Sequence, residues 1–219
     1  AAVEVYVYSC TSIGKIFGGG NNAEVIGNTR VWVNTWKGYI NGVKQDDIGK
    51  IGQIFGGGNA ARVVGNTQVD VGTALANAGE DIGVNITKGT YTSSTVGTYI
   101  SPTTNEFIDL EEAGIYGGGF SADVEGNTTL NIGTRNQNMG VNIAGNIFGG
   151  GYGETTHVTG NVTVNIGTVT AGDPVGYANI TGDVYGGSAK GTVNSTNNSS
   201  VNTYTYPNKL RSEESRVGE

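Results

Sequence analysis

The chain has 219 residues, 39 of them glycine and 3 proline, with 14% charged residues and a net charge of −7. Glycine without a three-residue period and nearly without proline excludes collagen, and low charge with recurrent Val, Ile and Thr excludes a disordered chain. The acidic balance argues against nucleic acid and anionic lipid as partners, and no apolar run of about 18 residues could cross a membrane as a helix.

The N-terminal stretch AAVEVYVYSC alternates in the manner of a half-buried strand. Val3, Val5 and Val7 match the apolar positions of later strands, so the chain is expected to begin partway through a repeat. No signal-peptide pattern is visible at Ala1, as expected of a mature form or an excised piece. The first full repeat is IFGGGNNAEVIGNTRVWV, Ile16 to Val33. It returns as IFGGGNAARVVGNTQVDV from Ile54, IYGGGFSADVEGNTTLNI from Ile115 and IFGGGYGETTHVTGNVTVNI from Ile147. A degraded copy, VYGGSAKGTVNSTNNSSV, starts at Val184. The aromatics Phe17, Phe55, Tyr116, Phe148 and Tyr185 lie 38, 61, 32 and 37 residues apart. In the first three copies Val25, Val63 and Val124 follow at a constant offset, then Gly-Asn-Thr from Gly27, Gly65 and Gly126. Alternating strands follow through Val31 and Val33, Val69 and Val71, Leu130 and Ile132. The fourth copy has two extra residues near Glu154–Thr156 and resumes at Val164 and Ile166.

A second run precedes each aromatic: IGKIGQIF, DLEEAGIY, VNIAGNIF and ANITGDVY. The long interval before Tyr116 is read as an insertion at about 74–107, and DIGVNITKGTYTSSTVGTYI within it as a protruding hairpin. No helix is convincing, the acidic turn at Asp109–Glu112 being the nearest candidate. Residues 207–219, charged after Pro207, read as an exit segment or linker.

Short strands that cannot bury a face alone, repeated at this interval, predict an all-β parallel β-helix: one solenoid domain over 1–206 with about five irregular coils. Each coil would supply about three strands. Val, Ile, Leu and the aromatic ladder would lie inside, with Asn28, Asn66, Asn127 and Asn161 as an amide ladder at a corner.

The repeats resemble those of large secreted and surface proteins of gut Bacteroidetes and some Firmicutes, which carry serial FGGG or YGGG and GNT motifs and look like right-handed parallel β-helices. The resemblance spans Ile13 to about Val201. It implies an extracellular or cell-surface, adhesin-like or scaffolding role, and it carries over no catalytic residue.

The chemistry-bearing residues support no stronger assignment. A phosphate loop needs Lys and Ser or Thr after its glycines, and FGGGNN has neither. Lone Cys10 excludes an intrachain disulfide and a multi-cysteine metal site, and single His157 leaves little for zinc or His-based catalysis. Both read as structural residues. Calcium solenoids repeat Gly-Gly-x-Gly-x-Asp, but here only Asp123 falls nearby, and Glu24, Arg62 and His157 break any ligand ladder. Asp46-Asp47 or Glu111-Glu112 could hold calcium from loops; otherwise no cofactor is implied. Glu106, Asp109, Glu111 and Glu112 form no placed carboxylate pair for sugar hydrolysis. Asp70, on a strand, is expected to point outward as ordinary surface. The GNT threonines, one per coil at a corner, form no ice-binding face.

The expected function is therefore a structural or adhesive one, without catalysis. Its partners would be a surface glycan or protein, or a second copy stacked end to end into a filament. The alternative is a carbohydrate-binding or polysaccharide-degrading β-helix. The candidate interaction surface is Trp32, Trp36, Tyr39, Tyr91 and Tyr99, with Tyr6 and Tyr8 also candidates for exposure. The candidate assembly edge pairs Val3, Val5 and Val7 with Tyr204 and Tyr206.

Overall fold

The computed structural model describes residues 1–8, 10, 12–34, 39–40, 43–44, 50–73, 83–87, 113–134, 140–176 and 178–194. Among them every regular element is a β-strand, and nearly all pairing is parallel. Equivalent positions of successive repeats pair residue on residue. In the first sheet Ala2–Val7, Asn28–Val33, Thr67–Val71, Thr128–Ile132 and Val162–Ile166 lie side by side in that order. Val5, Val31, Val69, Leu130 and Val164 share one column, and Val7, Val33, Val71, Ile132 and Ile166 the next. Period-two alternation explains this register: a slip of one residue would turn every buried side chain to the opposite face.

The second sheet is built on Lys50–Phe55, which pairs with Ser12–Phe17 on one side. On its other side two strands share it, Gly83–Thr87 against Lys50 and Ile51 and Gly114–Tyr116 against Gln53 to Phe55. Gly140–Ala144 and Asn146–Phe148 follow, then Asn179–Ile180 and Val184–Tyr185. Gly83–Thr87 is therefore a framework strand, and the hairpin expected there is corrected for these residues. Ile86 takes its place between Ile51 and Ile143 and is fully buried in the core. Residues 88–112, with the expected acidic turn, lie outside the described residues.

A third, narrow set of parallel pairs joins Val25–Ile26 to Val63–Val64 and His157–Val158 to Thr192–Val193, with Val124 bridging between. Two antiparallel pairs stand apart: Tyr39–Ile40 with Val43–Lys44, and Thr168–Thr170 with Asp173–Gly176.

The apolar core runs between the first two sheets through Val31, Val33, Ile51, Ile54, Val69, Val71, Ile115, Leu130, Ile132 and Ile147, all fully buried. Burying each such side chain contributes about 2 kcal/mol relative to leaving it exposed. A smaller cluster of Val63, Val124 and Val158 fills the third side.

The aromatic ladder exists, but not among these residues. Phe17, Phe55, Tyr116, Phe148 and Tyr185 stack with centroids 5.0, 4.6, 5.4 and 4.8 Å apart and planes within 10°. Each follows an isoleucine or valine in its strand, buried in all but Val184, and alternation sends neighbours to opposite faces. The rings thus line the far side of the second sheet. Phe120 and Tyr152, themselves stacked at 5.3 Å, cover Phe55 and Tyr116 edge-on.

The GNT motif is also divided between inside and outside. The Asn28 side-chain oxygen accepts the Asn66 backbone N–H at 2.9 Å, Asn66 accepts from Asn127 at 2.8 Å, and Asn127 from Asn161 at 2.7 Å. This is the expected corner ladder. The threonines do not sit at the corner: Thr29, Thr67 and Thr128 are buried, donating to the carbonyls of Gly56, Gly117 and Gly149 in the following repeat at 2.6, 2.6 and 2.7 Å. In the first three GGG copies the first glycine meets the threonine of its own repeat and the backbone of the following repeat so closely that a Cβ on Gly56 would fall within 3.0 Å of the Gly117 carbonyl oxygen. Gly27 turns the adjacent corner at φ 129, where any other residue would be strained.

Candidate functional site

The first sheet carries two polar columns on its outer face. One runs Glu4, Arg30, Gln68, Thr129, Thr163; the other runs Tyr6, Trp32, Asp70, Asn131, Asn165. At the N-terminal end these columns hold exposed aromatics. Tyr6 and Tyr8 stack at 6.0 Å, and the Trp32 ring tilts against both at 5.9 and 5.4 Å. Tyr6 and Tyr8 are exposed and Trp32 is half-buried. A hydrogen bond with Glu4 holds the Tyr6 hydroxyl protonated to higher pH than usual.

Asp70 departs from its expected place as ordinary surface. It is buried, and its carboxylate is fully engaged. Arg30 donates Nε to Oδ2 at 2.7 Å and closes the ion pair through Nη2 at 2.6 Å. Gln68 donates to both oxygens and Asn131 donates to Oδ1 at 2.8 Å. Asn165 extends the chain by donating to Asn131 at 2.9 Å. One carboxylate thus satisfies donors from three repeats, and little of it is left over for acid or base chemistry. The sequence signal for this network was the shared offset of positions 30 and 68, and of 70 and 131, after their aromatics, with 165 equivalent once the fourth repeat's two extra residues are counted.

The residues weighed against calcium also acquire structural partners. Arg62 bridges Glu24 of the preceding repeat and Glu125 of the following one, the latter at 2.6 Å. The Asp123 carboxylate accepts the His157 backbone N–H at 2.8 Å, and His157 Nδ1 lies 2.6 Å from the Thr192 hydroxyl. Among the described residues no group of three or more His, Cys, Asp or Glu could hold a metal ion. Cys10 packs against the core, and burial pushes its thiol up to about 11. Lys15 lies 4.5 Å over the Phe120 ring, and burial pulls its ammonium below the ordinary lysine range.

Among the described residues, the first and last strands of the two large sheets carry further exposed apolar side chains. Val3 is 47% exposed, Val5 half-buried and Val7 buried, so the N-terminal edge is open at its start and closed at its end. At the other end Ile166, Val184 and Tyr185 are exposed although their counterparts in the middle repeats are buried. Trp32 is thus placed beside Tyr6 and Tyr8. Tyr39 lies in its short strand, and Trp36, Tyr91, Tyr99, Tyr204 and Tyr206 lie outside the described residues. So do Asp46, Asp47, Glu106, Asp109, Glu111, Glu112 and the segment 207–219.

These features define the chain as an all-β protein of parallel, in-register repeats. No family model matches it, and no match is found among curated proteins or solved structures.

Proposed function

We propose that this chain is a right-handed parallel β-solenoid of about five coils that acts outside the cell as a structural or adhesive element, without catalysis and without a bound cofactor. The observation that carries the reading is the use of polar side chains. The Asn corner ladder, the buried Thr–Gly bonds and the Asp70 network each tie one repeat to the next. Polar chemistry is thereby spent on stacking. The right hand follows from the rule for crossovers between parallel strands. The likeness of the repeats to FGGG and GNT surface proteins supports the extracellular placement.

Binding to immobilised host proteins or to whole cells tests the adhesive role, and release of reducing sugar from polysaccharides would overturn the non-catalytic one. A melting temperature lowered by chelator would overturn the absence of calcium. The second reading, carbohydrate binding, is favoured by the Tyr6, Tyr8 and Trp32 cluster beside polar Glu4 and Arg30. Exposed aromatic faces can stack on sugar rings. A glycan array read with the wild type and a Trp32→Ala variant tests it: glycan binding lost in the variant supports the reading, and no binding by the wild type removes it.

A further inference from the structure

We propose that Lys15, Phe120, Tyr152 and Lys190 form a strap closed over the aromatic ladder, and that the two ammonium charges hold it shut, so that neutralising either lysine opens it. The strap is independent of the adhesive and sugar-binding readings and rests on contacts between repeats.

The glycine loops decide which rings are covered. The residue after the third glycine donates its backbone N–H back to the third-glycine carbonyl of the preceding repeat. Asn59 donates to Gly20, Phe120 to Gly58, Tyr152 to Gly119 and Ala189 to Gly151, at 3.0, 2.9, 2.9 and 2.9 Å. Each such side chain is thereby carried back by one repeat. Phe120 lies edge-on to Phe55 at 5.6 Å, although it belongs to the repeat of Tyr116. Tyr152 lies edge-on to Tyr116 at 5.6 Å, although it follows Phe148. The same shift sets Asn59 and Ala189, neither of them a ring, at the levels of Phe17 and Phe148. Exposure agrees: Phe55 and Tyr116 are fully buried, while Phe17 and Phe148 are half-buried.

The two covering rings end in cations. Phe120 and Tyr152 stack on each other at 5.3 Å with planes 8° apart. Lys15 Nζ stands 4.5 Å over the Phe120 ring and Lys190 Nζ 5.0 Å over the Tyr152 ring. Lys15 precedes Phe17 and Lys190 follows Tyr185, so the two cations come from the outermost rungs of the ladder and meet the cover between them. An ammonium over a ring face is attracted by the ring quadrupole, and more strongly where water is excluded.

Local strain favours opening. Ser121, next to Phe120, has φ 53, in the left-handed region that disfavours a residue with a side chain. It is kept there while its N–H donates to the Tyr152 carbonyl at 2.7 Å. Gly153 takes the corresponding place after Tyr152 at φ 127 without that penalty. Opening relieves Ser121, and the cation–ring contacts oppose it. Lysine stems can also cover rings as plain hydrocarbon, so the test separates charge from stem.

Nε-Acetyl-lysine, placed at position 15 or 190 by codon suppression, keeps the stem and removes the charge, whereas Lys15→Arg and Lys190→Arg keep a charge. Amide hydrogen exchange of the full chain reads the strap at the N–H groups of Phe120, Ser121 and Tyr152. Acetyl-lysine should speed exchange there between about 2- and 30-fold, the range that one cation–ring contact spans. The framework amides of Val69 and Leu130 should keep their rates, and the arginine variants should exchange as the wild type does. In a Phe120→Leu background, acetyl-lysine at position 15 should have no further effect, because its ring partner is gone. Unchanged exchange with acetyl-lysine overturns the proposal, since the stems alone would then close the rings. Equal acceleration at Val69 and Leu130 overturns it too, because the charges would then support the whole fold. So do arginine variants that exchange like the acetylated chains, or an effect at position 15 that survives Phe120→Leu.

Discussion

Replacing Thr67 by valine isolates one inter-repeat bond without changing the shape of the core. Thr67 is 1% exposed and its hydroxyl donates to the Gly117 carbonyl at 2.6 Å. Valine is nearly isosteric, and the same column already holds Val162 beside Thr128, so the site accepts its shape. The substitution leaves a buried carbonyl short of a donor, which costs about 1–3 kcal/mol. The added methyl returns up to about 0.8 kcal/mol by burying apolar area. The expected net loss is about 1–2 kcal/mol, or roughly 2–8 °C in melting temperature at about 2–4 °C per kcal/mol for a chain of this size. Urea unfolding should show a lower midpoint with an unchanged slope, since the surface exposed on unfolding is the same. Thr67→Ser keeps the hydroxyl and should lose about 1 kcal/mol, through its missing methyl. A valine variant as stable as the wild type would refute the assignment of the GNT threonine to the interior.

Asp70→Ala strands the donors of Arg30, Gln68 and Asn131, and should cost about 3 kcal/mol by chemical unfolding. Arg30→Ala should cost only about 1 kcal/mol, because its side chain is 37% exposed and water screens the pair; equal losses would contradict the buried carboxylate. Gly56→Ala presses a Cβ on the Gly117 backbone and should cost about 3 kcal/mol or more by chemical unfolding, and a variant as stable as the wild type would contradict the close approach of the two repeats. Burial raises the Cys10 thiol from 9.0 to about 11, so the folded chain holds this proton more tightly than the unfolded one. The resulting stability is complete below pH 9.0 and is lost as pH rises through about 11. Cys10→Ala should flatten that part of the alkaline stability profile, and an identical profile would refute the burial of the thiol.

Much of the architecture was legible because the repeats speak for one another. Alternation in TRVWVN and TQVDVG identifies strands and selects Val31, Val33, Val69 and Val71 as core, since period two leaves one face for apolar residues. The recurrence of Phe17, Phe55, Tyr116, Phe148 and Tyr185, and of the GNT asparagines, announced ladders, because identical residues at identical offsets meet when strands pair in register. Tertiary structure alone decided what lies over each face. The Phe55 and Tyr116 rungs of the ring ladder are covered by Phe120 and Tyr152, not by the aliphatic core, and nothing in IFGGG distinguishes a ring facing inward from one covered outside. Asp70 looks like surface in TQVDVG; its burial depends on Arg30 and Asn131, which stand 40 and 61 residues away and become neighbours only when the repeats pair. GVNIT resembled an insertion by its spacing, yet it is a framework strand, because Ile51 and Ile143 leave an apolar place between them that Ile86 fills. Local sequence thus determines which residues can form a stacked strand. The cross-repeat contacts decide the environment each side chain meets, because those neighbours are supplied by chain dozens of residues away.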